Sequence, residues 1–385
     1  MKNPFLLILV NMFFRDVIGH LEIKERLIRS VKEERVSHSQ LFAGPEGTGK
    51  LALALAYAQY VSCRDRGESD SCGKCPSCRK YQKLAHPDLH FVFPIFSIGE
   101  NKKPVCDDFI HQWREFVLKS PYFTLNQWLN FIHVENAQGM IYERESQSIL
   151  HKLNLKSFES EFKVMIIWLP EKMNPHCANK LLKMIEEPPN KTLFLMISED
   201  EENIISTIRS RAQLIKVPLI DDKSMRNALR ALDGFDASII EEAARLANGN
   251  YIRAVEYINP DEDNIDFFTK IQELMRLAYS VDTLGLMQWA QDLAGIGREK
   301  QKKFFEYALR LAREYFVLNM HQDDLVYLNN QEAFWGERFS PFINERNIVR
   351  ISSEFELAYQ HISMNGNPRI IFLDIALKMA KLIKK

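Results

Sequence analysis

The segment QLFAGPEGTGKLALALAYAQ, residues 40–59, decides the fold. Gln40 to Ala43 form a short, mostly apolar run, Gly44-Pro45-Glu46-Gly47-Thr48-Gly49-Lys50 fits the pattern GxxxxGK, and an Ala/Leu-rich stretch follows. Strand, glycine loop and helix in that order let backbone N–H groups curl around phosphate oxygens at a helix N-terminus, where a lysine meets their charge. The next position should carry a hydroxyl to hold Mg²⁺, yet it is Leu51. The phosphate-loop residues are thus Gly44, Gly47, Thr48, Gly49, Lys50 and Leu51. The loop keeps its cradle and lacks its metal ligand, so Mg²⁺ is not expected and nucleotide occupancy stays open.

Outward from this loop, continuous apolar runs at Leu89–Phe93, Phe131–Val134, Lys163–Leu169 and Leu193–Ile197 read as buried parallel strands. Helical patterns lie between them, Glu143–Leu153 and Ala178–Glu186 among them. Upstream, Leu21, Ile23, Leu27, Ile28 and Val31 share one stripe of an amphipathic helix over residues 21–34. This alternation predicts a doubly wound α/β domain, residues 13–218. Beyond Pro218 the strand signal stops. Short helices broken at Asp233-Gly234 and Asn248-Gly249-Asn250 give a small helical domain, 219–262. Phe304, Ala308, Leu311, Ala312, Tyr315 and Leu318 then share one face, and Ile371, Ile375, Met379, Leu382 and Ile383 another, so 263–385 reads as an all-α domain. Residues 1–12 are read as an N-terminal extension.

The chain has 385 residues, long enough for two or three domains. Fifty basic against fifty-one acidic side chains leave a net charge of −1, so no global field draws it to a polyanion. The N-terminal apolar run Phe5–Val10 is far short of the roughly 20 residues a membrane span needs, and a cytoplasmic protein without membrane contact is expected.

Four of the six cysteines, Cys63, Cys72, Cys75 and Cys78, follow the spacing C-x8-C-x2-C-x2-C, with Gly73 and Pro76 to turn the chain. Four thiolates in a short polar segment suit tetrahedral, structural Zn²⁺. His86 is an alternative to Cys63 as fourth ligand, and Cys106 and Cys177 read as core residues. At the end of the strand beginning at Lys163, where a phosphate-loop enzyme places a metal-binding acid and a glutamate that activates water, stand Trp168 and Leu169. Neither can do that chemistry. Glu171 is the one nearby carboxylate that could substitute. Arg211, taken alone, reads as a surface arginine or as a finger offered to a neighbouring subunit's phosphate.

Taken together these segments resemble the clamp-loader branch of the AAA+ family. Phe14-Arg15-Asp16-Val17-Ile18-Gly19-His20 resembles its N-terminal box. The stretch from Asn179 to Pro189, NKLLKMIEEPP, resembles its NALLKTLEEPP segment, and Thr207 to Ala212, TIRSRA, its TIRSRC segment. The inserted four-cysteine module is a hallmark of bacterial members. The resemblance implies an α/β P-loop domain, a helical lid and an all-α collar that oligomerises. It makes Arg211 an arginine finger acting in trans, Arg253 the nucleotide-sensing arginine of the lid, and Ser198 the first sensor. Loss of the hydroxyl and both carboxylates points to the non-hydrolysing stator branch of DNA polymerase III clamp loaders, rather than the gamma/tau motors. Implied partners are the gamma/tau and delta subunits, the sliding clamp, and primer–template DNA through the assembly. An active motor using Glu171 and a stand-alone DNA-binding protein are the alternatives.

Overall fold

The computed structural model describes residues 12–96, 104–133, 139–189, 191–232, 234–259, 267–322 and 325–383. The chain divides into two units, Met1–Asn259 and Pro260–Lys385.

In the first unit helix α1 (Leu21–Lys32) leads to β1 (Ser39–Ala43), the glycine loop and α2 (Lys50–Ser62). Helix α2 is buried over its whole length because Ala and Leu surround it on every side. There follow α3 (Pro76–Tyr81), β2 (Leu89–Val92), α4 (Ile110–Lys119), α5 (Leu125–Phe131), α6 (Glu145–Asn154), β3 (Lys163–Trp168), α7 (Pro175–Glu186), β4 (Thr192–Ser198), α8 (Ser206–Arg209) and β5 (Gln213–Lys216). All strand pairs are parallel, and the sheet order is β2-β3-β4-β1-β5. β3 and β4 are buried at every position, as the unbroken apolar runs required. Three short helices complete the unit: α9 (Asp222–Arg230), α10 (Ala237–Ala247) and α11 (Tyr251–Ile258). This is the α/β P-loop architecture expected, a parallel sheet flanked by helices, with a helical segment following the last strand.

The structure differs from expectation at three points. The strand at Phe131–Val134 is instead the end of α5 and a turn, with Val134 outside the described residues. Thr124 and Gln127 form a reciprocal capping box that starts a helix (Gln127 N–H to Thr124 Oγ1 3.1 Å, Thr124 N–H to Gln127 Oε1 3.0 Å), and the helix buries Trp128 and Leu129. Strand β5 was not foreseen: only Ile215 of its four residues is buried, the pattern of an edge strand. Met12, placed in the extension from sequence, is 1% exposed and part of the core.

The second unit is helical throughout its described residues: α12 (Phe267–Ser280), α13 (Thr283–Ala294), α14 (Arg298–Asn319), α15 (Asn330–Phe339), α16 (Ile348–Ser363) and α17 (Pro368–Leu382), as expected. Its own core holds Trp289, Phe304, Phe305 and Phe372, with Phe305 and Phe372 stacked at 4.8 Å. Among the described residues no helix is long and apolar enough to cross a membrane.

Candidate functional site

The C-terminal ends of β1, β4 and β3 lie side by side. Register pairs Ala43 with Ser198 and Ile197 with Trp168, and the Gly44 N–H donates to the Ser198 carbonyl at 3.3 Å. The glycine loop thus sits at the carboxyl edge of the sheet, the usual crevice for ligands in such folds. Gly47 and Gly49 have φ of +76° and +80°, a region that disfavours side chains, so both glycines are required by the turn.

The inner face of the loop is covered by the protein itself. A Cβ on Gly47 would lie 1.8 Å from Asn250 Oδ1, and one on Gly49 would lie 2.6 Å from the Tyr122 ring. Asn250 caps α11 through the Arg253 N–H at 3.1 Å, and the Tyr251 N–H donates to the Gly47 carbonyl at 3.0 Å. The Tyr122 hydroxyl accepts from the Ile18 N–H at 3.0 Å, while His20 Nε2 meets the Thr48 carbonyl at 2.8 Å. That Asn250, Tyr251 and Tyr122 pack on the loop was not foreseen from sequence, because they approach it from segments over 70 residues away. The glycines were the only signal, since a bare backbone invites close packing.

Lys50 is buried and turns its ammonium back onto the Pro45 carbonyl. Burial pulls its pKa down, while Glu199, Glu46 and Glu171 pull the other way. Glu171 accepts from the Glu199 N–H at 2.9 Å and the Asp200 N–H at 3.3 Å; burial pushes its pKa up, as it does for Glu199. Three carboxylates therefore share the electrostatic surroundings of the lysine, and two of them, Glu171 and Glu199, are themselves raised by burial.

Trp168 and Leu169 are 3% and 1% exposed. The indole of Trp168 packs 5.3 Å from Trp113 and 5.0 Å from Phe123, within an aromatic cluster that includes Phe93 and Trp128. The position expected to lack its metal-binding acid has become part of the core.

Arg211 follows α8, on a surface turn. Its side chain is 41% exposed, pairs with Glu186 at 2.7 Å and donates to the Thr207 carbonyl at 3.1 Å. Glu186 belongs to the EEPP segment, so two stretches noted separately in sequence meet here. Arg253 lies on α11 with an exposed side chain, two residues past Tyr251. Ser198 is fully buried, and its hydroxyl accepts from the Asp200 N–H at 3.1 Å.

The cysteine module forms a second centre. The Sγ atoms of Cys63, Cys72, Cys75 and Cys78 all lie within 4.8 Å of one another, and none forms a disulfide. Backbone N–H groups point at the sulfurs: Cys72 to Cys63 at 3.3 Å, Cys75 to Cys72 at 3.3 Å, Lys74 to Cys72 at 3.4 Å and Cys78 to Cys75 at 3.4 Å. Such donors stabilise thiolates, and four converging thiolates can hold one metal ion. Burial raises the Cys75 pKa, but the N–H groups of Cys78 and Arg64, together with the neighbouring thiols of Cys78 and Cys72, outweigh it and bring the thiol down to about 6. His86 is not a ligand: its Nδ1 accepts from the Asp88 N–H at 3.1 Å, Nε2 meets Ser160 Oγ at 3.2 Å, and its ring lies 4.8 Å from Tyr81. Cys106 and Cys177 are fully buried core residues, as expected.

The module is tied to the N-terminal box. Asp70 accepts from the Phe14 and Arg15 N–H groups, both at 3.1 Å, and a Cβ on Gly73 would lie 2.5 Å from the Phe13 ring.

The chain is 27% identical over 243 residues to DNA polymerase III subunit delta' of Bacillus subtilis strain 168, covering 62% of this chain and 59% of that protein. It is 28% identical over 219 residues to the delta' subunit of Pseudomonas aeruginosa, covering 57% and 55%. The gamma subunit of Buchnera aphidicola from Acyrthosiphon pisum is 25% identical over 218 residues, covering 57% and 48%. The chain thus spans about half to three fifths of the length of these relatives. The sequence profile described as "DNA polymerase III, delta subunit" matches residues 19–221, more than half of the chain. On the phosphate loop, the cysteine module and that match together, the chain belongs to the DNA polymerase III delta subunit family of clamp-loader proteins.

Proposed function

We propose that this chain is a stator of the delta' type, a clamp-loader subunit that does not hydrolyse ATP itself and completes a neighbour's ATP site. The observation that carries the reading is Trp168. An indole sealed among Trp113 and Phe123 stands where the metal-binding acid belongs, and it cannot be exchanged for a carboxylate without burying a charge in aromatic surroundings. Leu51 removes the loop's own Mg²⁺ ligand. With Leu169 where the water-activating glutamate belongs, three parts of phosphoryl-transfer chemistry are absent, and what remains is positioning and electrostatics.

Arg211 would supply those in trans. Its guanidinium is half-exposed, and the Glu186 partner at 2.7 Å is a surface ion pair worth about 0–1 kcal/mol, little enough to exchange for a phosphate. A finger of this kind neutralises charge on a transferring phosphoryl group and is worth roughly 10³–10⁵ in rate. The 219–262 lid would hold Arg253 above the loop, and the 263–385 collar would hold the subunit beside gamma/tau and delta, so that the assembly grips a sliding clamp and loads it on primed DNA. Cys63, Cys72, Cys75 and Cys78 would hold Zn²⁺ as a closed structural crosslink.

A second reading has one observation in its favour: Glu171 and Glu199 lie in the electrostatic reach of Lys50, so an active ATPase with displaced carboxylates is chemically conceivable. Mg-ATP turnover by the purified chain separates the two. The stator reading expects none, and Arg211→Ala should lower the ATPase of the reconstituted assembly by at least about a hundredfold. Turnover by the chain alone that Lys50→Ala abolishes would make it a motor, and an unchanged assembly rate with Arg211→Ala would remove the finger.

A further inference from the structure

The helical second unit carries a pocket of about 250 Å³ between α12, α15 and the end of α17. Its wall is a series of aromatic rings: Trp335 stacks on Phe339 at 4.1 Å and 15°, and Phe339 on Phe342 at 5.7 Å and 27°. Tyr279 closes the series edge-on against Phe342 at 5.5 Å, yet is 57% exposed. Met275 and Ile383 are buried beneath. A phenol and an indole left at the mouth of an apolar hollow are costly to keep wet, and they are the residue types that carry most of the energy where proteins bind one another.

Two guanidiniums, Arg276 and Arg338, complete the lining. Among the described residues neither is paired with a carboxylate: Arg276 Nε donates to the Gln272 carbonyl at 3.4 Å, and Arg338 lies 5.7 Å from the Phe334 ring. Arg211, by contrast, spends its charge on Glu186. These two leave positive charge free beside an apolar hollow. The geometry points to a docking site for an acidic protein segment that inserts one aromatic or branched aliphatic side chain between Tyr279 and Trp335 while its carboxylates take Arg276 and Arg338. A single-stranded polynucleotide is the lesser fit. It needs a continuous basic track along its backbone, whereas here two cations flank a closed hollow in a chain of net charge −1. The site is built from residues of the second unit alone, whereas the phosphate loop and Arg211 belong to the first, so the proposal survives or falls independently of the stator reading.

The test uses the full chain and fluorescence anisotropy with three labelled probes: a peptide of aspartates and leucines closed by a phenylalanine, the same peptide with lysine for aspartate, and a short oligothymidylate. Saturable binding of the acidic peptide is expected, together with loss of affinity as salt rises and no binding of the lysine peptide. Arg276→Ala, Arg338→Ala and Tyr279→Ala should each weaken binding roughly tenfold, the scale of one charge-assisted or well-buried contact. All three side chains are exposed, so the thermal melt followed by circular dichroism should not move. No saturable binding of the acidic peptide, equal binding of the lysine peptide, indifference to all three substitutions, or preference for the oligonucleotide would each overturn the proposal.

Discussion

Single residues decide the chemistry of the phosphate loop. Trp168 makes the sharpest case, because the change that would restore a metal ligand, Trp168→Asp, also opens a cavity among Trp113 and Phe123 and buries a carboxyl there. The expected result is a loss of about 3–5 kcal/mol in denaturant-induced unfolding, and no gain of Mg-ATP turnover. His90 on β2 gives a pH prediction. Burial, reinforced by Lys152 and Lys163, lowers its pKa to about 4 from 6.5. Between those values the unfolded chain binds a proton that the native chain refuses, so stability falls as pH drops from about 6.5 to about 4. Urea melts across that window should show a shallower decline for His90→Gln than for the unaltered protein. A matching decline in both would mean that other groups govern the acid limb.

At the scale of elements, the cysteine module is a fastening as well as a cluster of four converging thiols. The two N–H groups of the N-terminal box that end on Asp70 lose their acceptor in Asp70→Ala. A loss of about 1–2 kcal/mol is expected for two partly exposed charge-assisted bonds, with faster amide exchange at Phe14 and Arg15. Unchanged exchange there would show that the box holds without the module. How much of this could be read in the sequence depends on the range of the interaction. The β1–loop–α2 unit was legible because glycines at fixed spacing, a strand before and an alanine-rich helix after are all local. The four-cysteine cluster was legible for the same reason. Helix α5 was misread because FIHV looks like a strand once the Thr124/Gln127 capping box upstream is overlooked. β5 was missed because an edge strand needs few apolar residues. Asn250 and Tyr122 could not be placed on the glycines at all, since nothing local to either residue encodes that encounter.

For the whole molecule, the division after Asn259 predicts two independently folding pieces. The second unit has its own aromatic core around Trp289, Phe304 and Phe372. Residues 267–385 expressed alone should therefore give a helical circular dichroism spectrum and a cooperative melt, and a non-cooperative melt would show that this core needs the first unit. The strand order has a further consequence, in time rather than space. Ser39 on the interior strand β1 pairs with Phe194, which lies 155 residues further along the chain, while Gln40 pairs with Gln213. On the ribosome β1 must emerge, and then wait for almost the entire α/β domain before either neighbour exists. Pairing at such separation makes for slow folding. A chain stalled anywhere before β4 presents both edges of an apolar strand at once, which makes the interval of synthesis, rather than the finished protein, its moment of greatest exposure to aggregation.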